Sequence, residues 1–412
     1  MSQQRFVRHL SRFLTKNQVL ILSGPQMIGK RFLSEQIAKQ FRRKILVLDL
    51  AKTVNRKKLV NPDFFLSAHA SDFIVLENLE YFPALLVDII RFQGVHKKLP
   101  KIVLTLNFQF EAVFRFYAIP RKVIVQEIFS ISFQEATRLK SVTIFDHWLK
   151  GAYPGFLTAP SHRVLNNRMD RIIESVCTGN TAQITGHQLS RDRLMELLEI
   201  LAQLNGTILN VQAIGKSMAL SGPTVLRYIN YLEAAMLIRL LPAYSQAGAS
   251  KRVVKAPKIY FRDCGLLHHL RSIKTVQSLS KSIGQADSWE AYCIDEITKL
   301  LPPKYKLRYY RTQHAAEIQL VLTKNNKHHP ALQQAVVAIS IQSGPSPQLP
   351  RGLRNCFADL STRKNYILPG PGQHTHSIPP EFPAEFATSL KSVNCSVISL
   401  AELLLKLPFL RF

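Results

Sequence analysis

The sequence predicts an α/β protein: a parallel sheet covered on both faces by helices, then a helical stretch, then a second α/β region. Three observations carry that prediction. Five short β-rich runs, QVLILSG, KILVLDL, DFIVLE, KIVLTL and KVIVQEI, lie between residue 17 and about residue 128. They are apolar almost without alternation, the pattern of strands covered on both faces. The segments between them, such as RFLSEQIAKQF and FPALLVDIIRF, carry apolar residues at helical spacing.

The other elements follow in chain order. The opening stretch MSQQRFVRHLSRFL is basic and has no acidic residue, and it reads as a short amphipathic helix on the first domain rather than a targeting peptide. SFQEATRL, FDHWLKGAYPGF and DRLMELLEILAQL make residues 130–205 helical. In the stretch 209–241, a helix over 211–218 is followed by a turn at LSGP and a second helix from Pro223. Ser221 suits the cap of that helix and Pro223 its first turn. Val225, Ile229 and Leu232 form its inward stripe, and MLIRLLPAY with KAPKIYF supplies two strands of a wing. Residues 285–345 read as the helix WEAYCIDEITKLL and the strands KLRYYRT, EIQLVL and AVVAISIQ. Residues 343–380 read as Pro- and Gly-rich loops, and LAELLLKL as a last helix. The resulting domains are 1–135, a helical linker or lid over 136–205, a helix-turn-helix over 206–262 and a C-terminal domain over 285–412.

Composition narrows the function classes. Of 412 residues 46% are hydrophobic and 20% charged, ordinary for a globular chain. No apolar run reaches the roughly 18 residues that a membrane span needs. The five cysteines, Cys177, Cys264, Cys293, Cys356 and Cys395, are scattered without a Cys-x-x-Cys pair, so a reducing cytoplasmic setting fits best. The 13 histidines show no metal-ligand spacing. Charge is the extreme value: 54 Lys and Arg against 27 acidic residues give +27. Such a balance attracts polyanions, nucleic acid first, although a basic proteome would produce the same bias.

One motif carries phosphate chemistry. Gly24, Pro25, Gln26, Met27, Ile28, Gly29 and Lys30 form a Gly-x-x-x-x-Gly-Lys loop between an apolar strand and a helix. Backbone N–H groups of such a loop cradle phosphates, and its Lys reaches the outer ones. The next residue normally lends a Ser or Thr hydroxyl to Mg²⁺. Here it is Arg31, which has donors only. The run DFIVLENLE gives Glu77 and Asn78 where an Asp and a catalytic Glu are expected, and Asn78 takes no proton from water. Glu80 is close in sequence, but two residues further on it need not face the same side. Thr105 and Asn107 close the fourth strand and are placed to sense a terminal phosphate.

With SGPTVLRYINYLEAAMLIRLLP, SKRVVKAPKIYFRDCGLL, SWEAY and YYRTQHAAEIQLVL, these motifs make the chain resemble the prokaryotic AAA-type P-loop ATPases that carry a C-terminal winged helix and a restriction-nuclease-like module. The resemblance covers nearly the whole chain. It implies an ATP site of doubtful Mg²⁺ dependence and places Arg121 near an arginine-finger position. Glu77, Asn78 and Arg121 are thereby the catalytic candidates. It further implies a nuclease-like carboxylate set in which Glu290 and Glu317 remain, Gln319 replaces an Asp, and Ser340 with Gln342 replace a Glu-x-Lys pair. Glu290 and Glu317 are then structural hydrogen-bonding residues, and no metal site is expected.

In the helix-turn-helix, Thr224, Arg227, Asn230 and Tyr231 are expected to face outward toward DNA, with Lys251, Arg252 and Lys255 on the wing side. The expected function is ATP binding with impaired or absent hydrolysis, joined to nucleic-acid binding or regulation through the winged helix. The alternatives are a working ATPase with nonstandard metal ligands and a protein-interaction scaffold. The resemblance also admits a homo-oligomer.

Overall fold

The computed structural model describes residues 3–16, 19–115, 117, 123–139, 142–179, 181–245, 253–325, 333–371 and 383–407. The chain forms two compact units. The first comprises Met1–Ser130, Asp170–Met195 and Leu226–Leu237, and the second comprises Ile131–Met169, Glu196–Val225 and Ile238–Phe412. Each is described by itself. The helix Gly222–Ala234 begins in the second unit and ends in the first.

The first unit is built on β1 (Val19–Ser23), β2 (Ile45–Asp49), β3 (Phe73–Glu77), β4 (Lys101–Leu106) and β5 (Val123–Glu127). All pair in parallel, in the order β2-β3-β4-β1-β5. From β1 the chain goes to the far edge, returns strand by strand to β4, and crosses β1 to reach β5. A sheet wound this way gathers its loops at the carboxyl ends of β1, β3 and β4. The three central strands are almost wholly buried, as unbroken apolar runs require. The edge strands β2 and β5 are partly exposed, because each has a neighbour on one side only. The helix Gln3–Thr15 buries Val7, Leu10 and Leu14 and packs on β1 and on the helix Lys30–Ala38.

In the second unit β6 (Ile238–Leu241) and β7 (Lys258–Phe261) pair antiparallel. A mixed sheet follows: β8 (Tyr305–Arg311), β9 (Glu317–Asn325), β10 (Gln333–Ile341), β11 (Lys364–Leu368) and β12 (Cys395–Val397), in the order β12-β11-β10-β9-β8. One core gathers Trp148, Trp289, Tyr292, Leu403 and Leu404 with Tyr309, Leu320 and Val337 of the sheet. Another gathers Leu353, Phe357, Leu360 and Leu390 with Tyr310, Val321 and Ala338. The helix Arg351–Leu360 and β11 lie in the span expected to be loop. Its prolines and glycines bracket these elements, and Leu353, Cys356, Phe357 and Leu360 make a buried stripe at helical spacing. No helix among the described residues is long and apolar enough to cross a membrane.

Candidate nucleotide site

The loop after β1 turns tightly because two residues adopt left-handed backbone: Met27 at φ 61° and Gly29 at φ 94°. Met27 is exposed, whereas Pro25 and Ile28 are buried and Gln26 is half-buried. Gly24 must be glycine, since a Cβ there would lie 2.7 Å from the Ile128 carbonyl oxygen. Lys30 opens the helix Lys30–Ala38 and is buried. Its Nζ donates to the carbonyl oxygens of Gly24 and Pro25, both at 2.7 Å, and so closes the loop on itself. Burial lowers its pKa to about 7, against the opposing pull of Glu80 and Glu77.

Arg31 is largely exposed. Its Nε meets the Glu35 carboxylate at 3.2 Å, and a terminal guanidinium nitrogen lies 3.8 Å from Glu77. The carboxylate expected near the metal therefore faces a guanidinium. Burial raises the Glu77 pKa, and Arg31 is the main opposing influence.

The ends of β2, β3 and β4 carry a continuous polar chain. Asp49 Oδ1 accepts from the Ala51 N–H at 3.0 Å and from Asn78 Nδ2 at 2.6 Å. Asn78 Oδ1 accepts from Asn107 Nδ2 at 2.7 Å, and that nitrogen also donates to Glu80 Oε1 at 2.7 Å. The Asn107 backbone N–H donates to Glu80 Oε2 at 3.3 Å, and the Asn78 N–H to Thr105 Oγ1 at 3.3 Å. Asn78 has left-handed backbone and starts a single 3₁₀ turn over Leu79–Tyr81. That turn breaks the strand's alternation and carries Glu80 inward to 1% exposure. Burial raises the Glu80 pKa, and the hydrogen bonds it accepts work against the rise.

Gln26, Asn78, Glu80, Asn107, Phe108 and Tyr231 are among the residues lining a cavity of about 210 Å³. Asp49 and Glu80 are site residues that strand alternation does not single out. For Asp49 a signal exists, since it is the one carboxylate of KILVLDL, and it closes β2 in register with Glu77.

These donors do not fit an ordinary Mg²⁺ site. The hydroxyl ligand is absent, Asp49 is tied to Ala51 and Asn78, and Glu77 faces Arg31. Among the described residues no group of three or more His, Cys, Asp or Glu side chains could hold a metal ion. Arg121 lies outside the described residues.

The helix-turn-helix residues are placed less uniformly. The Val211–Met218 helix is capped by Asn210, and Ser221 Oγ accepts from the Thr224 N–H at 3.3 Å. Val225, Ile229 and Leu232 are buried, as the stripe requires. Thr224 and Arg227 are half-buried, and Asn230 and Lys255 are exposed. Tyr231 does not face outward: it is 1% exposed, its hydroxyl donates to the Val176 carbonyl at 2.6 Å, and its ring packs near Phe108. Lys251 and Arg252 lie outside the described residues.

The carboxylates of the second unit meet an ammonium. Lys258 Nζ lies 2.9 Å from Glu290 Oε1 and 2.5 Å from Glu317 Oε1. Tyr260 donates its hydroxyl to Glu290, and Arg311 reaches Glu317 Oε2 at 2.8 Å. Burial alone would lower the Lys258 pKa, but the two carboxylates outweigh it and hold the ammonium above its ordinary value. Gln319 accepts from the Ile341 N–H at 3.0 Å, while Gln342 bonds the backbone of Gln348. A divalent ion would have to displace the ammonium, so this set does not fit a metal either.

A family model described as a domain of unknown function, DUF8612, matches residues 142–277. Uncharacterised proteins of Mycobacterium tuberculosis and Mycobacterium bovis are each 26% identical over 374 residues, covering 89% of this chain and 79% of the relative. Among solved structures, the Holliday junction branch migration motor RuvB of Thermotoga maritima aligns at TM-score 0.31 and 14% identity, covering 58% of this chain and 89% of RuvB. AMPPCP-bound DnaA of Aquifex aeolicus aligns at TM-score 0.27 and 13% identity, covering 56% and 86%. Likeness at these TM-scores assigns neither fold nor function to this chain.

Proposed function

We propose that the first unit binds a nucleoside polyphosphate, ATP by the resemblance, at the loop Gly24–Lys30 without requiring Mg²⁺, and hydrolyses it slowly or not at all. The observation that carries this reading is buried Lys30, closing a Gly-bounded loop between a buried strand and a helix, beside the polar ends of β3 and β4. Loop N–H groups, the helix N-terminus and Lys30 supply the phosphate contacts, and Arg31 supplies positive charge beside Glu77. Asn78 lacks the carboxylate that would activate water, a part whose loss lowers rate far more than affinity. Equilibrium binding of ATP in excess Mg²⁺ and in EDTA tests the reading. We expect affinities within about threefold of each other, because the donor set does not fit the ion. Binding that disappears in EDTA, or turnover at ordinary ATPase rates, would sink it.

The domain division set out from the sequence, the winged-helix identity of residues 206–262, the inactive nuclease-like identity of 285–412, the cytoplasmic setting and a homo-oligomeric state belong to the same proposal. So does DNA contact through Thr224, Arg227, Asn230 and Lys255, supported by the charge of +27 and the exposure of Asn230 and Lys255. We expect DNA affinity to fall with added salt, with a log–log slope near −0.9 for each phosphate neutralised and about three or more phosphates engaged. No binding at low salt would favour the protein-scaffold alternative.

A further inference from the structure

We propose that this nucleotide site prefers a nucleoside diphosphate to the triphosphate, and that Glu80 is the residue that discriminates. The inference rests on the loop's being a nucleotide site. Its geometry is that of a carboxyl group built into the cavity beside the loop rather than one left on the surface. Glu80 is 1% exposed, is fixed by the backbone and side-chain N–H groups of Asn107, and shares its cavity with Gln26 of the loop. No cation lies within ion-pair distance of it among the described residues.

The groups that set the field there are few. Lys30 on the helix is the cation that Glu80 interacts with most, Glu77 and Asp49 close the neighbouring strands, and Tyr81 and Tyr231 line the cavity walls. Counting Arg31 and the Glu35 carboxylate that it meets, two cations stand against four carboxyls. A phosphate chain held at the loop extends its outermost group toward the ends of β3 and β4, where Glu80 lies. Two phosphates are served by the loop and Lys30. A third brings extra negative charge against a buried carboxylate, with no metal to offset it. Triphosphate binding is therefore coupled to a proton on Glu80, which turns a repelling acceptor into a hydrogen-bond donor. Burial favours that protonated form.

The experiment is calorimetric titration of the full chain with ADP and with ATP in EDTA, at pH 8 and pH 6, for the wild type and Glu80→Gln. Gln keeps an acceptor for Asn107 and removes the charge. In the wild type at pH 8 we expect ADP to bind about tenfold tighter than ATP, the gap closing to about threefold or less at pH 6. In Glu80→Gln the gap is absent at pH 8 as well, which separates Glu80 from protonation of the nucleotide itself. Equal wild-type affinities at pH 8, or a gap that survives Glu80→Gln, would overturn the inference while leaving the nucleotide site standing. If neither nucleotide binds, the site and the inference fall together. Should Glu80→Gln not fold, Glu80→Ala takes its place with the same expectation of no gap at pH 8, and equal wild-type affinities at pH 8 overturn the inference in either case.

Discussion

Replacing Lys258 with Met destabilises the second unit by about 3–5 kcal/mol at neutral pH, the usual cost of removing one partner from a buried ionic cluster. Lys258 is 3% exposed, and its ammonium is the group within contact of both Glu290 and Glu317. After its removal Glu317 retains Arg311, but among the described residues Glu290 retains only the Tyr260 hydroxyl. The pH dependence has a definite sign. A raised folded-state Lys pKa contributes stability that is complete below the unfolded value and lost only as pH climbs through the folded one. Wild-type stability from this residue is therefore level across neutral pH. In the variant the penalty falls on Glu290, whose carboxyl pKa burial already raises and which has lost its ammonium, so acidification toward pH 5 recovers part of the loss. Adding Glu290→Gln to Lys258→Met recovers part of it at neutral pH as well. Urea transitions of the second unit, followed by hydrogen exchange in β9, measure these differences. A loss below about 1 kcal/mol would mean that the cluster is hydrated and no ammonium is needed there.

The unequal legibility of these parts has physical causes. The five strands of the first sheet are visible in sequence because full burial writes itself as continuous apolar runs, and the phosphate loop because its glycines meet a local backbone demand. Glu80 is noticed in sequence but its inward facing is not, because the left-handed turn at Asn78 changes the facing of every residue after it. Lys258 is equally hidden as a partner for Glu290 and Glu317: β7 and β9 are far apart in sequence, and charge pairing across such a distance has no periodic signature. Tyr231 misleads in the opposite direction. Its phenol looks suited to an outward face, yet it reaches back to Val176 and leaves the helix with a wider buried face than the stripe of Val225, Ile229 and Leu232 implies. The helix Arg351–Leu360 was masked by the prolines and glycines around it, although its own apolar spacing is regular.

Lys30→Met should weaken ATP binding by about a hundredfold or more, since charge-assisted hydrogen bonds are worth roughly 1.5–3 kcal/mol each and the ammonium can offer more than one to a phosphate. The same substitution leaves the chain folded. Burial lowers the Lys30 pKa to about 7, so between that value and the unfolded value the unfolded chain binds a proton that the folded chain does not. Stability attributable to this residue therefore falls as pH drops through that window, and removing the ammonium relieves the deficit while giving up the bonds to Gly24 and Pro25. Phosphate binding runs the other way: it needs the charged form, so wild-type affinity should rise as pH is lowered toward 7 and level off below it. The variant should show no such rise from this residue. Circular dichroism establishes that the variant is folded, and titration of wild type and variant across pH 6–9 reads both effects. Variant affinity within about threefold of wild type would place the phosphates away from Lys30 and remove the ground for a nucleotide site at this loop.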